Sequence, residues 1–397
     1  MTWPIVKLGD ICEIYAGGGA PQLEGDFCVD GIPFIRAGSL PKLLNGIQEC
    51  QLEKINALTA NQYRLKLYNK DAIVFAKSGM SATKGHIYRL KNSCYIVNHL
   101  AILKPLDACF PSYLEHALKK YSPTSLILDP AYPSIRLSDI SSFKLPLPPL
   151  AEQQRIAEIL DKAELVKRKR ELAIEKLNDL AQSLFVEMFG DFSKKSQLHK
   201  LEEFNNLINE TKLGLVRGTS ELNDFNGYPY LRMNAITSNG ELQFNKLMFT
   251  NASDIEVKEY TLKKHDFLFN TRNSKELVGK TAIFLNEDNN YLFNNNIMRI
   301  RFNQNANPSY IAHAFKTQYV QNQLENIKSG TTNVFAIYFK DLKNIKIPIP
   351  NIVDQNTFAL KIEALHLLKN KFKESVNAMK VFNASLQNQA FKVGFDA

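Results

Sequence analysis

The feature that most constrains this chain is that its sequence is written twice, at separations near 200 residues and with only small gaps. Lys7-Leu8 answers Lys200-Leu201, and Ile32-Pro33-Phe34-Ile35-Arg36 answers Tyr228-Pro229-Tyr230-Leu231-Arg232. Asn69-Lys70-Asp71 answers Lys264-His265-Asp266 ahead of a similar apolar run. Five of seven residues are identical between Pro111-Ser112-Tyr113-Leu114-Glu115-His116-Ala117 and Pro308-Ser309-Tyr310-Ile311-Ala312-His313-Ala314. From Pro146 and Pro348 onward the match holds without a gap, pairing Gln153 with Gln355 and Phe189 with Phe391. A chain built this way folds as two like units. A length of 397 residues suits that, since one ordinary core stops growing at roughly 250 to 300 residues.

Each copy ends in a long helix. Beyond Pro146-Leu147-Pro148-Pro149, residues 151–189 contain neither Gly nor Pro, and Gly190 supplies a stop. Apolar positions step by three and four through Ile156, Ile159, Ala163, Val166, Ala173, Leu177, Leu180 and Leu184, with Arg170 in the same series. The second copy keeps the phase through Phe358, Lys361, Leu365, Leu368, Phe372, Ser375, Met379, Phe382 and Leu386. A solitary helix would expose such a seam, so the two are expected to pack together as an antiparallel coiled coil. Ahead of each helix, short apolar runs such as Ala72-Ile73-Val74-Phe75 and Phe267-Leu268-Phe269 predict strands, with a short helix beginning near Ser112 and Ser309. The expected fold is therefore α+β: two mixed α/β domains in pseudo-twofold tandem repeat, each followed by a long helix. The boundaries fall at 1–150, 151–191, 192–350 and 351–397.

Composition excludes several classes. With 45% hydrophobic and 22% charged residues, the chain is neither disordered nor membrane-like, and no run approaches eighteen apolar residues. Its start lacks a signal-peptide pattern, so a cytoplasmic protein without membrane contact is expected. All five cysteines lie in the first third without CxxC spacing, and read as reduced thiols. A net charge of +9 favours polyanionic partners.

No catalytic or metal motif survives scrutiny. Asn307-Pro308-Ser309-Tyr310 resembles the Asn-Pro-Pro-Tyr element of amino-methyltransferases, but its counterpart is Phe110-Pro111-Ser112-Tyr113, where the Asn is absent. A helix start explains both copies better. Gly279-Lys280-Thr281 resembles the end of a phosphate loop, but Ser274 stands where that loop requires a glycine. Gly17-Gly18-Gly19 reads as a flexible turn, and no HExxH or His/Cys set occurs. An enzyme is not expected, and no metal or cofactor is assigned to this chain.

The candidate functional groups are polar, basic loops at equivalent places in both copies. After the matched strand, the first copy offers Lys77, Ser78, Thr83 and Lys84, and the second Thr271, Arg272, Asn273, Ser274, Lys275 and Lys280. Lys77, set opposite Arg272, can reach guanine O6 and N7, Asn273 can take adenine, and hydroxyls serve bases or phosphates; a solvated turn is the plain alternative. A second pair holds Arg36 and Ser39 against Arg232 and Asn234, where either arginine could grip phosphate or pack structurally. A third sets Tyr132 and Arg136 beside Thr331, Thr332 and Asn333, which an ordinary loop would explain equally. Asn294-Asn295-Asn296, aligned with Asn98-His99-Leu100, reads either as an adenine reader or as a buried strand end.

The segment Leu145-Pro146-Leu147-Pro148-Pro149-Leu150-Ala151-Glu152-Gln153-Gln154-Arg155-Ile156, with the helix end from Ala181 to Gly190, resembles the specificity subunit of type I restriction-modification systems over essentially the whole chain. The second copy departs from the junction pattern at Asn351-Ile352-Val353-Asp354-Gln355-Asn356. That resemblance implies a non-catalytic subunit whose two target-recognition domains each read half of a split, asymmetric site on double-stranded DNA. It implies two methyltransferase subunits and two restriction subunits as partners, with S-adenosylmethionine, ATP and magnesium bound by those partners. Lys167, Arg168 and Lys169 on the first long helix are candidates for holding the methyltransferase, against a solvated helix face. The alternatives are an autonomous DNA methyltransferase and a coiled-coil scaffold without DNA function.

Overall fold

A computed structural model describes residues 3–192, 200–245, 247–287, 290–330 and 333–391. The chain divides into two compact units, one of residues 1–171 with 373–397 and one of residues 172–372, so each long helix begins in one unit and ends in the other. No helix among the described residues is long and apolar enough to cross a membrane.

In the first unit the central sheet is antiparallel, in the order Cys12–Ala16, Leu100–Pro105, Ile73–Ala76, Ile87–Arg89. The second unit repeats it with Ile208–Leu213, Ile297–Phe302, Phe267–Asn270 and Thr281–Ile283. Ile73–Ala76 and Phe267–Asn270 are buried throughout because they lie inside their sheets, which is why Ile73-Val74-Phe75-Ala76 and Phe267-Leu268-Phe269 read as apolar runs. A smaller sheet flanks each. Its shared element is a parallel pairing, Phe34 with Tyr95 in the first unit and Tyr230 with Leu292 in the second. A third ribbon ties the start of each globular part to the proline junction: Ile5–Lys7 on Lys144–Pro146, and Leu201–Glu203 on Lys346–Pro348.

The glycines at 17 and 18 are not a flexible turn, as the sequence suggested. A Cβ on Gly17 would lie 2.2 Å from the Ile96 carbonyl, and the same close approach recurs at Gly214 against Phe293 and Asn294. Glycine is present because one strand end presses against another main chain.

The long helices run Leu150–Phe189 and Ile352–Phe391, and Gly190 takes φ +84° at the first one's end, where a residue with a Cβ would be strained. Within the first unit, Ile156, Ala157 and Leu160 cluster with Leu386, Ala390 and Phe391. Within the second, Phe185 and Phe189 cluster with Phe358. In both, the start of one helix meets the end of the other, so the pairing is antiparallel.

The expected seam needs correction. Ile159, Val166, Leu180, Leu368 and Phe382 are 40–56% exposed. Part of the series does meet across the pair, where Arg170 donates to Ser375 and Met379, but a pair off the series joins it there, Lys369 donating to Asn178. A strict three-four series assigns every apolar residue to one line, whereas a helix of 3.6 residues per turn drifts off a seven-residue repeat and rotates some of them outward.

Candidate nucleic-acid interface

The candidate loops are carried on the ends of the central strands. In the first unit the strand Ile73–Ala76 delivers Lys77, whose N–H donates to the His99 carbonyl at 2.9 Å and whose carbonyl accepts from Ile135 at 2.7 Å. Ser78 then bridges to Ser134, and Gly79, at φ +73°, donates to the Pro133 carbonyl. Two loops far apart in sequence, 77–85 and 131–136, thereby become one surface. The first is stiffened by the Thr83 hydroxyl on the Met80 carbonyl and by a short turn, Ala82–Lys84, that Gly85 closes at φ +62°. Thr83, Lys84, Tyr132 and Arg136 are exposed, Lys77 and Ser78 half-buried.

Beside this surface is an open cleft of about 520 Å³ lined by Gln22, Arg36, Gly38, Asn98 and His99 among others. Arg36 pairs with Glu53 at 2.9 Å and lies over the rings of Phe27 and Phe34. Its charge is thus partly met within the unit. The Ser39 hydroxyl accepts the Arg36 N–H.

The second unit builds the same backbone frame. Thr271 donates to the Asn296 carbonyl at 2.9 Å and accepts from Ile337 at 2.9 Å. The two-residue strand Arg272–Asn273 pairs with Phe335–Ala336, which in turn pairs with Ser329–Gly330. These bonds correct the residue pairing between copies. Lys77 corresponds to Thr271, not Arg272, because each donates to the turn before its neighbouring strand. Ser78, bridged to Ser134, corresponds to Arg272, paired with Ala336. Tyr132 then corresponds to Val334, and His99 to Asn296. Sequence matching misplaced the gaps because loops have no periodicity to hold a register.

Individual candidates separate once placed. Arg272, Arg232, Asn234 and Asn333 are exposed. Asn273 spends its amide within the loop, donating to Asn270 Oδ1 and accepting from the Ser274 N–H, each at 2.9 Å. Lys275 reaches Glu325 at 3.6 Å. Lys280 donates inward to the Ile236 carbonyl, and burial lowers its pKa, so its ammonium serves the fold. Thr331 and Thr332 lie outside the described residues. Asn294 and Asn296 act as a strand end: Asn294 donates to the Tyr230 hydroxyl, and the Asn296 carbonyl accepts from Asn270 and Thr271.

The residues beyond the loops have structural partners. Asn307 caps the helix Pro308–Ala314 by accepting the Ser309 N–H at 2.9 Å, which accounts for the Asn-Pro-Ser-Tyr element. Among the described residues no group of His, Cys, Asp or Glu is arranged to hold a metal. On the first long helix, Lys167 lies 3.9 Å from Glu171, Arg168 donates to the Gly46 carbonyl, and Lys169 is exposed. What the charge run obscured is an apolar one: Val353, Leu360, Leu367 and Val381, at multiples of seven along the second helix, are 59–73% exposed. Their spacing was readable, but the pattern does not say which side of a helix is covered.

The family model for the type I restriction modification DNA specificity domain matches twice, at residues 1–176 and 194–378. The chain is 24% identical over 371 residues to the type I restriction enzyme EcoKI specificity subunit of Escherichia coli (strain K12), covering 88% of this chain and 78% of that one. It is 22% identical over 403 residues to the MjaVIII specificity subunit of Methanocaldococcus jannaschii, covering 95% and 90%. Its fold is similar to the S subunit from M. genitalium, with a TM-score of 0.62 at 12% identity over 98% of this chain and 96% of that one. A chain from a structure addressing complex assembly and conformational transition of the type I R-M system gives a TM-score of 0.53 at 16% identity, covering 100% and 98%.

Proposed function

The chain belongs to the type I restriction modification DNA specificity family, and on that premise we propose that it reads a bipartite, asymmetric DNA site, one half through each unit. Specificity subunits are non-catalytic. The observation carrying the proposal is the pair of loop assemblies, with equal backbone bonding and unequal side chains: Lys77, Ser78 and Tyr132 in one, Thr271, Arg272 and Val334 in the other. Like scaffolds place the loops alike on a duplex, and unlike side chains read different words. Arg272, Lys84, Arg136 and Arg232, exposed and cationic, supply base and phosphate contacts. Two copies of one residue set would instead favour a symmetric site.

The helices act as spacer and docking platform. Each has 40 residues, about 60 Å at ~1.5 Å per residue. The exposed apolar residues at 353, 360 and 367 give the second helix a stripe suited to packing against helices of two methyltransferase subunits. Two restriction subunits join that complex, and S-adenosylmethionine, ATP and magnesium are bound by the partners.

Mapping methylated adenines in cells carrying this chain with its methyltransferase partner tests the reading. The expected motif is split, with unlike halves, and replacing residues 77–84 alters one half alone. A contiguous or palindromic motif, or one whose halves change together, rejects it.

A further inference from the structure

His99 stands outside the basic loops in sequence, yet the first unit's loops converge on it. It lies in the turn between strands Cys94–Ile96 and Leu100–Pro105, and its carbonyl receives the Lys77 N–H. Its Nδ1 is 2.8 Å from Ser78 Oγ, and Ser78 is held by the bridge to Ser134. The residue is exposed and lines the cleft with Arg36, Gly38 and Asn98. Arg36 is already paired with Glu53, whereas the ring of His99 is oriented by Ser78. An exposed side chain fixed before its ligand arrives avoids the ordering cost that a free rotamer incurs on binding.

We propose that His99 reads a base in the half-site taken by the first unit, with Ser78 as its positioning residue; this rests on the DNA-reading function proposed above. When the Ser78 hydroxyl donates to Nδ1, the ring proton sits on Nε2. An N–H donor recognises acceptors on a base edge, and guanine offers two in the major groove, N7 and O6, so guanine is the ligand assigned. Among the described residues the second unit has no equivalent. Asn296, at the matching position, turns its amide to Met233 Sδ at 3.7 Å, so the effect of His99 is confined to one half of the site.

The test uses the full chain with its methyltransferase partner and reads methylation across a library of sites. His99→Ala is expected to lower discrimination about tenfold at a single guanine position in one half-site, leaving the other half unchanged. Ser78→Ala should relax the same position by a smaller factor, and Ser78→Thr should restore it. A purely structural role predicts something else: lower methylation at every site, with an unaltered motif and a lower melting temperature. That result, or an unchanged motif at an unchanged rate, overturns the proposal. Sequence-independent methylation by the unsubstituted complex would overturn the DNA-reading function itself, which is a separate outcome.

Discussion

The two units join their globular parts to the long helices in different ways. In the first, Asp161 on the helix accepts from the Ser112 hydroxyl at 2.6 Å and lies 2.8 Å from His116 Nε2. Around it, Arg89 pairs with Asp71 and Glu115, and Lys119 with Glu115 and Glu164. In the second, the corresponding histidine, His313, is buried edge-on to Phe358, with ring centroids 5.0 Å apart, and near Phe185. Phe185 also meets Phe189 and Tyr310. Some contacts nevertheless repeat: Tyr113 donates to the Pro146 carbonyl and Tyr310 to that of Pro348. Gln153 holds Phe110 N–H, Ala108 O and Pro148 O, as Gln355 holds Asn307 N–H, Asn305 O and Pro350 O. The Tyr113–Phe391 ring contact repeats as Tyr310–Phe189, and the repeated hydrogen bonds all end on main chain. Main-chain partners are the same whatever the neighbouring side chains become, so they kept the frame while the filling diverged from ionic to aromatic.

The largest expected effect concerns whether the units read independently. Inserting four residues into Leu150–Phe189 should abolish methylation at the original sites and create it at sites with the same two half-words at a new spacing. Methylation mapping checks this. Changed words at the old spacing would reject the spacer role of the helices.

The next effect is on stability. Phe185 is fully buried in the second unit, whereas the matching residue of the other helix is the half-buried Gln387 in the first. Phe185→Ala should cost about 3 to 5 kcal/mol, and Gln387→Ala about 1 kcal/mol or less. Denaturant unfolding followed by hydrogen exchange should show the loss of Phe185 in peptides of the second unit. Equal costs at both positions would erase the contrast between an aromatic and a polar junction.

These differences mark where the sequence was legible. The duplication, the helix limits near Gly190 and the place of Gln153 and Gln355 could be read because each imposes a local rule: a periodicity, a stop, a repeated motif. The inward faces of the helices could be read only in part: the spacing included Arg170, but Lys369 is buried against Asn178, a tertiary partner that no spacing announces. The loops fell between. Their existence was plain from the repeat, but the joining of 77–85 to 131–136 depends on strand-end hydrogen bonds between distant segments. For the same reason His99 carried no signal beyond its place opposite the Asn294-Asn295-Asn296 run.

The smallest effect separates the junctions by pH. Burial, with the nearby Lys316 charge, depresses the His313 pKa to about 4, while the hydrogen bond to the Ser309 carbonyl opposes this only partly. The folded second unit thus resists a proton that its unfolded chain takes up near pH 6.5. Stability from this group is complete above pH 6.5 and falls as pH drops toward about 4, by a total on the order of 3 kcal/mol. The first unit behaves differently. Burial works against ionisation of Asp161, but the His116 and Ser112 hydrogen bonds outweigh it and hold its pKa at about 2. Its contribution is present above the ordinary carboxylate pKa and is lost only as pH falls through about 2. Between pH 6.5 and 4, hydrogen exchange should therefore speed up in the second unit more than in the first, and His313→Gln should flatten that difference. An unchanged slope in the variant would mean that another group carries the acid sensitivity, and that the aromatic setting of His313 does not distinguish the two junctions.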